Sequence, residues 1–96
     1  MILVKTEEQS EKICYLDLSR IEAFGLDRRD DNFVIWALVG SNRFYLCGVD
    51  SLVNAKTKLE KVVDYAILLN TSQPSVIGHY DSIDDLIHYC ENRFSN

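Results

Sequence analysis

Phe33-Val34-Ile35-Trp36-Ala37-Leu38-Val39 runs without a polar interruption. Its β-branched and aromatic content is that of a strand. Gly40-Ser41-Asn42 follows, where glycine and asparagine accept the positive φ of a tight turn. Phe44 to Val49 returns as the partner strand, and Ile21 to Leu26 precedes the run across the polar loop Asp27 to Asn32. Residues 20–49 therefore read as a three-stranded antiparallel meander. Upstream, Ile2 to Val4 and Ile13 to Leu16 are short apolar runs separated by a polar turn from Thr6 to Glu11. Asp17-Leu18-Ser19 reads as a tight bend, because Asp and Ser side chains bond nearby amides.

From residue 51 the period changes. Leu52, Ala55, Leu59, Val62, Ala66 and Leu69 recur at steps of three and four, with Val63 and Ile67 widening the stripe. Asn54, Lys58 and Lys61 take the other side. This predicts an amphipathic helix over 51–69, capped by Asp50 or Ser51. Pro74 marks its end. Ser75 to Tyr80 reads as a short strand. Asp81-Ser82 then opens a second helix with Ile83, Leu86, Ile87, Cys90 and Phe94 on one face. Ser82 with Asp85 forms a capping-box pattern. The expected fold class is α+β, one domain over residues 1–96. A curled antiparallel sheet of four or five strands (the meander, residues 1–49) packs on the long helix. A short strand and C-terminal helix follow within residues 75–94.

The central strand is apolar on both sides. Phe33, Ile35, Ala37 and Val39 point one way; Val34, Trp36 and Leu38 point the other. The returning strand is expected to place Phe44 and Leu46 on one face and Tyr45, Cys47 and Val49 on the other. An antiparallel sheet with one wet face alternates apolar and polar residues; this one does not. Burying the second face is worth on the order of 6–10 kcal/mol, comparable with the whole stability of a small domain. Three covers are open: the second helix, a curl of the sheet onto the N-terminal strands, or another chain. The last makes Trp36, Leu38, Tyr45 and Val34 an interface, with Trp36, Tyr45 and Leu38 as anchors and a homodimer as the simplest assembly.

Composition narrows the function. The net charge of −5 comes from 10 basic and 15 acidic residues, and no basic face stands out to bind phosphates. Direct nucleic-acid binding is disfavoured, and no segment is apolar enough for a membrane. Cys14, Cys47 and Cys90 are too widely spaced for a zinc or redox motif. They read as apolar fillers in a reducing, cytoplasmic setting. No cofactor is expected.

Weaker chemical patterns have ordinary explanations. Asp81, Asp84 and Asp85 form an acidic patch that can hold a hard cation, yet acids gather at helix N-termini for electrostatic reasons. His88 follows Asp84 by four residues, an ordinary helical pair. Arg28 and Arg29 sit among three aspartates, which argues against an anion site. Trp36, Tyr45, Phe44 and Phe24 could form a base-stacking platform, but that mode wants interleaved basic residues, and only Arg43 and Arg20 are near. The reading is a non-enzymatic protein-interaction or regulatory module, self-associating, with a protein partner. One alternative is a small acidic inhibitor or decoy of a nucleic-acid-processing enzyme, of a phage-encoded kind, acting through Asp81, Asp84 and Asp85. Another is a small-ligand or metal-dependent enzyme.

Overall fold

A computed structural model describes residues 2–7, 13–72 and 78–94. Strand β1 (Ile2–Lys5) pairs antiparallel with β2 (Tyr15–Asp17) and parallel with β6 (Gly78–Tyr80). Strands β3 (Ala23–Arg29), β4 (Asn32–Val39) and β5 (Asn42–Val49) form the antiparallel meander. Helix α1 (Leu52–Ser72) and helix α2 (Ile83–Phe94) complete the α+β fold.

The strands are not one curled sheet of four or five. They form two three-stranded sheets, ordered β2-β1-β6 and β3-β4-β5. The division falls at a 3₁₀ turn, Leu18–Arg20, between β2 and β3. Asp17 fixes that corner by accepting from the Ser19 amide at 3.0 Å and the Ser19 hydroxyl at 2.8 Å. Burial pushes the Asp17 carboxyl up, but these bonds and Arg20 outweigh it and hold it below the usual carboxylate range.

The meander hairpins are tighter than the polar loop Asp27 to Asn32 implies. The strands run on through Arg29 and from Asn32, leaving only Asp30-Asp31 as the turn. Asp30 takes φ 54°, a left-handed conformation that aspartate tolerates. Gly40 takes φ 64° in the second turn.

Helix α1 lies across β3, β4 and β5, and α2 packs against α1, β1 and β6. Ile35, Ala37, Val62, Ile83, Leu86 and Cys90 are fully covered in the shared core, joined by Val4 from β1 and Leu46 from β5. Both caps form: the Asn54 amide donates to Ser51 Oγ at 3.2 Å, and the Asp85 amide to Ser82 Oγ at 3.1 Å. Helix α1 reaches three residues beyond the expected Leu69. The readings for residues 8–12 and 73–77, and the side chain of Phe94, lie outside the described residues.

Candidate functional site

The outer face of the meander, turned away from α1, collects the aromatic residues singled out in the sequence. Register sets its membership. Trp36 stands between Gly25 on β3 and Tyr45 on β5, Leu38 between Ala23 and Arg43, and Val34 between Asp27 and Gly48. A β-bulge opposite Ile35 and Trp36 inserts Leu46 as an extra residue in β5. The bulge turns Cys47 and Val49 to the core side, opposite Ile35 and Phe33. The expected grouping of Tyr45 with Cys47 and Val49 is thereby corrected, since strict alternation does not survive an inserted residue.

Trp36 lies flat rather than standing out. A Cβ at Gly25 would fall inside its indole, 2.6 Å from Cη2 and nearer still to Cζ2 and Cε2. Glycine is therefore what lets the ring rest on the neighbouring strand. The Arg43 guanidinium stacks above the ring, 4.2 Å from its centroid. Asp27 holds that guanidinium at 2.8 Å. Tyr45 repeats the arrangement, with Arg29 at 5.7 Å from its ring centroid and Glu7 bonded to Arg29 at 3.1 Å. Glu7 also donates its amide to the Tyr45 carbonyl at 2.8 Å, bringing the N-terminal segment against β5. The Trp36 indole N–H is fully covered and has no hydrogen-bond partner among the described residues, so the site favours the ring's shape over its polarity.

Val34 is 1% exposed in the single chain and offers no surface. Trp36, Leu38 and Tyr45 are half-buried, sharing the face with Arg43 and Asp27. Sequence reasoning named the aromatics and noted Arg43 near them but missed Gly25 and Asp27. Glycine in a strand next to a tryptophan strand was the available signal.

A second feature is a cleft of about 280 Å³ between the helices, lined by Asn54, Thr57, Lys58, Lys61, Asp84 and Ile87. Its cations are already engaged, Lys58 by Asp84 and Lys61 by Glu91. Burial disfavours the charged Lys58, yet the Asp84 hydrogen bond and the nearby Cys47 sulfur outweigh this and raise its pKa. Burial raises the Cys47 thiol despite Lys58 beside it, and pushes Cys90 up to about 11. Neither thiol is an activated nucleophile.

The acidic patch is divided. Asp84 turns to Lys58, while Asp81 and Asp85 stay exposed on the first turn of α2 and before it. His88 contacts Asn92 at 3.2 Å instead of Asp84. Among the described residues, no group of three His, Cys, Asp or Glu side chains is placed to hold a metal ion. Among them, too, no helix is long and apolar enough to cross a membrane. Compared with family models, curated proteins and solved structures, the chain matches none.

Proposed function

We propose that this chain is a non-enzymatic protein-interaction module, and that the outer face of the meander is its recognition surface. One observation carries the reading: Trp36, Tyr45, Arg43 and Arg29 are stacked together on one partly open sheet face. Trp, Tyr and Arg are the residue types that supply most binding energy at protein interfaces. Their mutual stacking, with Asp27 and Glu7 holding the guanidiniums, fixes the side chains before a partner arrives. Less rotamer entropy is then lost on binding. The protonated thiols and the paired lysines of the interhelical cleft supply no activated group for an enzyme reading. The acidic-decoy reading is weakened because Asp84 is already neutralised by Lys58.

The test uses a partner that co-purifies stoichiometrically with the wild-type chain and is then produced alone. Binding of that purified partner is measured by calorimetry against wild type and the Arg43→Ala/Tyr45→Ala variant. Truncating such anchors costs about 2 kcal/mol or more, so affinity is expected to fall about thirtyfold or more. Unchanged affinity in a folded double variant overturns the assignment of this face.

A further inference from the structure

The two rims of the meander end differently. At β5 the rim is met by Glu7, whose amide bonds to the Tyr45 carbonyl. At β3 the only strand neighbour among the described residues is β4. The rim strand Ala23–Arg29 contains no proline and is unbulged against β4. A rim of this kind is a template for another strand.

We infer that β3 is the seam of a symmetric dimer: a second copy of this chain sets its own β3 antiparallel to the first, Gly25 opposite Gly25. The two meanders then become one continuous six-stranded sheet. The inference deepens the interaction-module reading and rests on it only in that the chain works by associating. It leaves the outer face free and doubles it.

The sequence around Gly25 is self-complementary in this register. Glu22, just before the strand, falls opposite Arg28 of the second copy and Phe24 opposite Leu26, each pair occurring twice by symmetry. Both charged residues are exposed in the single chain. Only shifts by two residues keep the core face of one copy level with that of the other. Either such shift loses the Glu22–Arg28 pair and sets Phe24 or Leu26 against its own copy. Opposite charges facing each other across strands favour pairing, so the Glu22–Arg28 match favours the register centred on Gly25.

Helix α1 supplies independent support. Leu52 is 43% exposed and Ile67 56% exposed, with Val63 half-buried beside them. At about 100° per residue these three share a flank of α1 with Asn70. Asn70 donates to the Leu18 carbonyl, in the turn leading into β3. The opposite flank carries Lys58 and Lys61, which meet α2. This exposed flank, apolar apart from Lys56 and Asn70, and the open rim therefore look the same way. Helix α1 packs chiefly over β3 and β4. With strands about 4.8 Å apart, two such helices across the seam stand about 10 Å apart, the spacing of packed helices. The Trp36 rings, each resting on Gly25, meet over the paired glycines.

Sedimentation velocity over a concentration series tests the seam with Glu22→Arg, Arg28→Glu and their equimolar mixture. Wild type is expected to show a monomer–dimer equilibrium. Each single variant sets like charges opposite twice and weakens self-association by roughly tenfold or more. The mixture recovers it, because the arginine introduced in one copy then faces the glutamate introduced in the other, and the remaining pair is native. Glu22 also accepts from the Gly40 amide at 2.8 Å, so Ile67→Glu serves as a second, fold-neutral probe and is expected to weaken the dimer. A wild-type chain that stays monomeric throughout overturns the inference, while the partner measurement judges the outer face separately. A dimer indifferent to both charge reversals and to Ile67→Glu overturns the seam and leaves self-association standing elsewhere.

Discussion

The two faces of the meander exclude water by different means. On the core face, Ile35 and Ala37 belong to one buried apolar cluster with Val62 and Leu69 of α1. On the outer face no helix arrives. Trp36 lies on Gly25 and is roofed by Arg43, which Asp27 pins in place. One face is insulated by a separate element, the other by a residue from the next strand. A strand that is apolar on both sides does not require a second layer of secondary structure. A missing side chain on one neighbour and a long one on the other can substitute for a helix.

The contrast predicts unequal sensitivity. Ile35→Ala removes a fully buried side chain that no neighbour can easily replace. It is expected to cost about 2–5 kcal/mol in denaturant unfolding. A loss below about 1 kcal/mol would mean that the core face is as loosely covered as the outer one.

Gly25→Ala attacks the outer face. The new methyl group displaces the indole, at about 1–3 kcal/mol, and tryptophan emission shifts to the red as the ring enters water. Combining it with Trp36→Leu should recover part of the loss, since the smaller side chain frees the space above residue 25. Emission unchanged in the single variant would show that the ring is not held as described.

The smallest effect concerns the polar rim of the core face, where Lys58 reaches Cys47 and Asp84. Its pKa in the folded chain is raised above the unfolded value. The stabilisation is therefore complete below the ordinary lysine value of about 10.4 and is lost as pH rises through the folded-state value. Urea midpoints for wild type and Lys58→Met should converge between about pH 9 and about pH 12. A constant difference across that window would remove the ion pair as its source.

Much of this was legible in the sequence. The spacing from Leu52 to Leu69 and from Ile83 to Cys90 specified both helices, and Ser51 and Ser82 cap them where expected. The central meander strand followed from an uninterrupted apolar run, and its two neighbours from shorter apolar stretches beside turn signals. What stayed hidden was non-local. Nothing near Ile2 announces that its neighbour is Gly78, and the 3₁₀ turn that parts the two sheets depends on how Asp17 uses its carboxylate. The inserted Leu46 also looks like any other strand residue, yet it reverses the side to which Cys47 and Val49 point. At the site, Trp36 and Tyr45 were visible as greasy residues. Their pairing with particular arginines was not, because Arg29 and Arg43 come from other strands and meet the rings only through register.

The parallel pairing of β1 with β6 has a consequence for synthesis. Strand β1 is made before the other described elements, yet it is the middle member of its sheet. Its partner β6 leaves the ribosome only after α1 is complete. Closing so long a loop is entropically slow. The nascent chain can pair β1 with β2 early, but Ile2 and Val4 go without β6 and α2 while the meander and α1 take shape. Late-translated residues are the ones that lock the early ones.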